Sequence, residues 1–264
     1  MEIIGYAASL IIGVSLGLIG GGGSILTVPV LVYLFGVDPV VATAYSLFIV
    51  GSTSLVGAFP KYKQGEVNLK TALIFGLPSI AAVYATRAFI VPNIPDHVFS
   101  VGSFEVTKPL LMMLLFAILM VFASISMIKP KKKVQEEVGE QKFNYPMILL
   151  EGGVVGVLTG LVGAGGGFLI IPALVILSKL PMKQAVGTSL LIIAVKSLFG
   201  FTGDLGKQEM DWTLLLSVTG LAIAGIFVGN MMSKKVSADG LKKGFGWFVL
   251  VMGVYIIAKE VFLK

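Results

Sequence analysis

The feature that most constrains this chain is a glycine-rich stretch, Gly17-Leu-Ile-Gly-Gly-Gly-Gly-Ser-Ile-Leu-Thr-Val-Pro29. It recurs at an offset of 143 positions as Gly160-Leu-Val-Gly-Ala-Gly-Gly-Gly-Phe-Leu-Ile-Ile-Pro172. Clustered glycines do not continue an ordinary helix, because each carries a large backbone entropy penalty. Both stretches nevertheless sit inside apolar sequence. At the same offset Gly13/Gly156, Gly22/Gly165, Pro29/Pro172, Ala42/Ala185, Ser46/Ser189, Leu47/Leu190, Ser54/Ser197, Gly57/Gly200 and Glu66/Glu209 are identical, with no gap. Chance similarity between apolar runs does not align glycine, proline, serine and glutamate together. The chain is therefore an internal duplication: residues 1–128 form a first repeat, 129–144 a charged linker expected in the cytoplasm, and 145–264 a second repeat.

Of the 264 residues 56% are hydrophobic and only 13% charged, with a mean hydropathy of +0.96. That charged share is about half of what soluble domains carry, which excludes an ordinary soluble protein. Several apolar runs reach the roughly 18–20 residues that span a bilayer as helix. The predicted fold is an all-α polytopic membrane protein, multi-pass in the inner (cytoplasmic) membrane. The absence of Cys removes disulfides, thiolate zinc sites and cysteine nucleophiles. With one histidine, His97, in a polar loop, neither a transition-metal site nor a cofactor is expected. The net charge of +6 comes from Lys-rich loops and reports orientation rather than nucleic-acid binding. The N-terminus has no basic region ahead of its apolar run, so that run is read as mature structure, not a signal peptide.

Apolar runs cover 3–19, 25–35, 40–59, 69–90 and 109–128, then 145–162, 168–177, 184–201, 212–232 and 244–262. Lys and Arg mark cytoplasmic loops. If each half crosses four times, the basic loops 61–70 and 233–243 fall on opposite sides. If each glycine break makes a re-entrant hairpin, each half crosses three times and the halves are inverted. The basic segments 61–70, 129–142, 178–183 and 233–243 then share one side. The turn at Gly36 to Pro39, the His97 loop and the acidic loop 203–211 take the other. Inverted repeats with paired hairpins are the favoured topology, and eight full crossings the alternative. Cysteines placed at Ser237 and Asp204 are expected to label from opposite faces. Arg87, near the end of its run, reads as an interfacial anchor.

Broken backbone at membrane depth persists only where it is buried in protein or lines a polar cavity. Two breaks in corresponding places point to a transporter's substrate site. Gly20, Gly21, Gly22 and Gly23, and Gly163, Ala164, Gly165, Gly166 and Gly167, offer free backbone N–H groups, and the helix that follows each adds its positive dipole end. That builds an anion site with few buried charges. Ser24, Thr27, Ser46, Thr53 and Ser189 supply hydroxyls. Lys196 lies well inside a span, where lysine costs about 2.5–3.5 kcal/mol on insertion scales, and is a substrate candidate. Its counterpart is Thr53. The competing readings are that the glycines only permit close helix crossing, and that Lys196 snorkels or pairs with Glu151. Glu66 and Glu209 are read as caps of the following helices, with a coupling-proton role as the alternative.

Enzymatic readings fail on motif grounds. The glycine run lacks the Gly-Lys-Ser/Thr ending of a P-loop, no βαβ unit follows it, and no nucleophile–histidine pair occurs at membrane depth. The paired motifs from Gly20 to Pro29 and from Gly163 to Pro172, with the small-residue spans 42–57 and 185–200, resemble the sulfite exporter TauE/SafE family over nearly the whole chain. That resemblance implies transport of a sulfur-containing anion such as sulfite, thiosulfate or an organosulfonate; the family name implies export, while the residues would serve import equally. Ser24 and Ala164 depart from an all-glycine run. The expected partners are a small anion, the bilayer and protons as coupling ion. A passive anion channel and a non-transporting membrane subunit are the alternatives.

Overall fold

The computed structural model describes residues 2–101, 104–128, 145–176, 178–232 and 238–262. The linker 129–144 and Ser237 lie outside them. The first repeat runs α1 (Glu2–Ile19), a 3-10 turn (Gly20–Leu26), α2 (Thr27–Leu34), α3 (Pro39–Lys63) and α4 (Leu69–Ala85). A π-helical turn (Thr86–Ile90) and the short α5 (Val91–Asn93) extend α4. After β1 (His97–Val101) and β2 (Phe104–Thr107), α6 (Lys108–Ile128) closes the repeat. The second repeat runs α7 (Tyr145–Val162), α8 (Gly167–Ile176), α9 (Met182–Thr202), α10 (Trp212–Met232) and α11 (Ala238–Phe262).

Among the described residues, seven helical stretches are long and apolar enough to cross a membrane. One of them, Ile3–Leu34, has 32 residues and would be about 48 Å long as a straight rod. It is instead folded back on itself. The rings of Tyr6 and Phe35 meet edge-on at 5.3 Å, and a Cβ built on Gly5 would lie 2.6 Å from Phe35. The end of α2 thus returns to the start of α1. The bend is at the glycines, where a Cβ on Gly23 would strike the backbone N of Leu16, 2.5 Å away. The second repeat bends at the equivalent place, with Gly166 against Thr159.

Helix ends follow the local sequence. Asp38 caps α3, its Oδ1 accepting from the backbone N–H of Val40 and Val41, with Pro39 at the first helical position. Asn68 caps α4 by accepting from Thr71 N–H at 3.0 Å, and Asp211, at the equivalent position, accepts from Leu214 N–H at 3.0 Å. The expected capping roles of Glu66 and Glu209 are therefore corrected. Glu66 pairs with Lys61 at 2.8 Å, and Glu209 lines a surface cavity. The shorter side chains two positions further on reach the free N–H groups without wrapping back.

Small residues set the packing. Gly13 and Gly17 of α1 lie against Ala222, Gly225, Ile226 and Gly229 of α10, and the two helices run parallel. Gly152, Gly156 and Gly160 of α7 lie against Phe75 and Ser79 of α4 and Thr86 of the π-helical turn that extends it, also parallel. Such small-residue rows let backbones approach closely, which substitutes for a hydrophobic driving force between membrane helices. Corresponding helices of the two repeats instead meet antiparallel. In the α3–α9 pair, Gly51 faces Leu198, Gly57 faces Leu190, Gly200 faces Leu47, and Gly187 faces Lys61 and Glu66. In the α6–α11 pair, Gly246 faces Met127 and Gly253 faces Ala117 and Met120. The offset of 143 residues exchanges Leu47–Gly200 with Gly57–Leu190, and Gly13–Ala222 with Gly156–Ser79.

Candidate functional site

The two glycine breaks meet inside the bundle. A Cβ on Gly167 would run into the backbone of Gly21, so neither position can carry a side chain. Every residue from Gly20 to Leu26 is buried. The first break winds as a 3-10 turn with Gly20 at φ +74°, whereas the second has Gly163, Gly165 and Gly166 at +70°, +63° and +70°. These left-handed values strain any residue with a Cβ. Ala164 tolerates its place because it is not left-handed.

Hydroxyls tie the breaks together. Ser24 Oγ donates to the carbonyls of Ala164 and, at 2.8 Å, Gly21. Ser46 Oγ donates to Gly163 O at 2.6 Å. Ser189 is turned to its own helix, on Val186 O at 2.8 Å. Thr27 and Thr53 Oγ1 are buried and have no hydrogen-bond partner, and Ser54 and Ser197, identical at the repeat offset, share that state. Of the anticipated hydroxyls, Ser24 and Ser46 brace the glycine carbonyls, and Thr27 and Thr53 have uncommitted oxygens.

Lys196 is completely buried in α9. Its Nζ donates to Thr159 Oγ1 at 3.1 Å and lies 2.9 Å from where a Gly166 Cβ would be. The ammonium thus sits against the second break. The α3–α9 register centres within about one residue of Thr53 and Lys196, since Leu47 meets Gly200 while Gly57 meets Leu190. Pairing with Glu151 is not what the structure places there. Glu151 lies eight positions before Thr159 on α7, about 12 Å along the axis, and its Oε2 has no hydrogen-bond partner. An ammonium offers three donors, and burying one beside a neutral hydroxyl is unfavourable unless an anion completes the site or the amine gives up its proton.

Arg87 departs furthest from expectation. It is fully buried rather than interfacial. Its Nε donates to Asp204 Oδ2 at 2.7 Å, and its Nη1 to Thr43 Oγ1 at 3.0 Å and to the Gly160 carbonyl at 3.3 Å. The π-helical turn beginning at Thr86 positions it, and such turns recur at functional sites. Asp204 is only 2% exposed, so it is not a surface position for labelling. Burial pushes its carboxyl above the usual range, while Arg87 and Lys207 pull it back. Thr43 is also the residue against which Gly163 packs. Two cations therefore flank the second break, held through the consecutive residues Thr159 and Gly160 of α7. Sequence reasoning singled out Lys196 but missed Arg87, Asp204, Thr43 and Thr159. The one available signal for the first was an arginine close to the end of an apolar run.

Two cavities open at the end of the molecule where α3 begins. One, of about 420 Å³, is lined among others by Asp38, Asp96, Lys108, Asp204, Lys207 and Gln208. The other, of about 530 Å³, includes Tyr45, Glu209 and Asp211. The loop between α9 and α10 serves both. Lys207 Nζ donates to the carbonyls of Ala88 and Arg87, at 2.8 and 3.3 Å, and fastens that loop to the end of α4.

Comparison with known proteins places these features in a family. The family described as sulfite exporter TauE/SafE matches residues 5–256. A protein of Xylella fastidiosa (strain 9a5c) named "Probable membrane transporter protein" is 29% identical over 97% of this chain and 94% of its own length. A Bacillus subtilis protein carrying the same description is 28% identical over 98% of each chain. One from Methanocaldococcus jannaschii is 27% identical over 97% of this chain and 93% of its own. No solved structure matches the chain. The chain is a multi-pass membrane protein that belongs to the sulfite exporter TauE/SafE family of membrane transporters.

Proposed function

We propose that this protein is a secondary transporter of a small sulfur-containing anion (sulfite, thiosulfate or an organosulfonate), bound where the two glycine breaks meet and moved at the expense of an ion gradient. The observation that carries the reading is Lys196. Its buried ammonium lies against Gly166 with one neutral hydroxyl as its hydrogen-bond partner. An oxyanion there would complete the charge that the protein leaves open. It would also meet the N-terminal end of α8, which begins at Gly167 and carries free N–H groups and the positive dipole end. Thr53, at the same level of the α3–α9 pair, has a free hydroxyl for a further oxygen.

In this reading the repeats are inverted in the membrane, with six crossings (α3, α4, α6, α9, α10, α11) and two hairpins that enter from opposite faces. The antiparallel meeting of α3 with α9 and of α6 with α11 supports it, as does the doubling back of α2 onto α1. Alternating access then follows from movement of one repeat against the other about a site shared by both.

The test is uptake by proteoliposomes of the purified protein, with and without an imposed pH gradient. The panel is sulfite, thiosulfate, sulfoacetate and the zwitterion taurine, with chloride and phosphate as controls. Gradient-dependent flux of a sulfur anion, abolished in Lys196→Met, is the expected result. Chloride conductance without coupling would identify a channel instead. Full flux in Lys196→Met would move the site elsewhere.

A further inference from the structure

The Arg87–Asp204 pair lies one step outward from Lys196 and is chemically incomplete. Arg87 uses Nε on Asp204 and Nη1 on Thr43 and Gly160, while the buried Nη2 has no partner. A guanidinium edge suits two oxygens of one anion side by side, and here the carboxylate takes only one donor of the Nε–Nη2 edge. Asp204 also lines the 420 Å³ cavity, together with Lys108, Lys207, Gln208, Asp38 and Asp96. Arg87 stands behind it, touching α7 at Gly160, the residue next to the Thr159 that holds Lys196. Cavity, Asp204, Arg87, the Thr159–Gly160 pair and Lys196 thus form a continuous series leading to the glycine break.

We propose that the Arg87 guanidinium is a second anion subsite, and that the Asp204 carboxylate is its resident stand-in, displaced when a sulfur oxyanion enters from the cavity. The proposal rests on the transporter reading above. Carboxylate and oxyanion compete for one guanidinium, so Asp204 sets the apparent affinity. The paired donors Nε and Nη2 favour an anion with two adjacent oxygens over spherical chloride. Lys207, whose charge already acts on Asp204, and Lys108 in the cavity wall receive the released carboxylate.

The variants are Asp204→Asn, Arg87→Lys and the double Arg87→Gln/Asp204→Asn. Each is assayed for sulfite, thiosulfate and sulfoacetate flux in proteoliposomes. Each is also assayed in detergent for the rise in melting temperature caused by those sodium salts, against sodium chloride at matched ionic strength. Asp204→Asn is expected to lower the half-saturation concentration roughly tenfold and to slow turnover. Arg87→Lys and the double variant are expected to raise it by a similar factor, with the melting shifts in the same order. Replacing a buried ion pair by neutral partners often preserves the fold. A wild-type half-saturation concentration in the double variant therefore overturns the subsite even if Asp204→Asn does not fold. Anion-dependent stabilisation that needs Arg87, with no flux in wild type, would uphold the subsite and overturn the transporter reading. Flux with unchanged constants in all variants would do the reverse. Absence of both flux and stabilisation by all three anions, in wild type and Asp204→Asn, overturns the subsite.

Discussion

The first glycine turn is a 3-10 winding with one left-handed residue and Ser24 reaching across to its partner. The second has three left-handed glycines, with Lys196 on one flank and Arg87 on the other. The same motif at the same offset has thus kept its bend and lost its equivalence of charge. Position by position the contrast continues. Arg87 corresponds to Asn230, Asp204 to Lys61, Lys196 to Thr53 and Thr159 to Leu16. Where Arg87 and Asp204 seal one end of the bundle without exposure, Lys61 pairs with Glu66 at the other with both side chains about one-fifth exposed. The glycine bend occurs in both halves of the chain, whereas the buried cations, Arg87 from the first half and Lys196 from the second, gather at the second break.

That contrast can be broken at several points. The largest effect is expected at Lys196. Substitution by Met should reduce flux at least about 100-fold, equivalent to roughly 2.7 kcal/mol of activation free energy, without lowering the melting temperature, because it removes an incompletely paired buried charge. Thr53→Val, at the corresponding position, should fold normally and lower flux far less. Next come the two ion pairs. Asp204→Ala leaves a buried guanidinium uncompensated and should lower stability by about 3–5 kcal/mol. Lys61→Met should change it by no more than about 1 kcal/mol. Equal losses in thermal melts would show that the two ends are alike. A finer test lies within the motif. Gly165→Ala forces a Cβ onto a left-handed residue with Val50 only 2.5 Å away, and should cost about 1–3 kcal/mol. Gly22→Ala meets only Ile19 at 3.2 Å and Met127 at 4.0 Å, and should be close to neutral. The smallest differences are at the caps, where Asn68→Ala and Asp211→Ala should each cost about 1 kcal/mol. Similar values would show that the repeats remain matched outside the charged positions.

Much of the scaffold was legible because its signals are local. The apolar runs ending at Val162 and Met232 are bounded by glycines and by polar residues, and α7 and α10 stop there. The bend at Gly20 follows from glycine's backbone freedom, and the duplication from the offset itself. The site was legible only in part. Lys196 is conspicuous as a charge within an apolar run. The partner of Arg87 is 117 positions away across the fold, and no pattern near either residue announces it. The same holds for Thr43 and for the Ser46 bond to Gly163, which exist only once the two repeats are interleaved. The β1–β2 pairing leaves little signal in the sequence, because its alternation is short and a helix begins directly after it. The caps were misassigned because identity drew attention to Glu66 and Glu209. The residues that cap, Asn68 and Asp211, are alike in chemistry but not in name.

The α3–α9 register, centred within about one residue of Thr53 and Lys196, bears on why both repeats share one polypeptide. Were the molecule a dimer of identical half-length subunits, a lysine at this position would meet its own copy across the axis. Two ammonium groups would then be buried in one site, and their repulsion would drive one to lose its proton. Covalent fusion lifts that constraint. One position can carry threonine while the other keeps lysine, so the centre of the α3–α9 pair holds one amine where a dimer of identical halves would hold two.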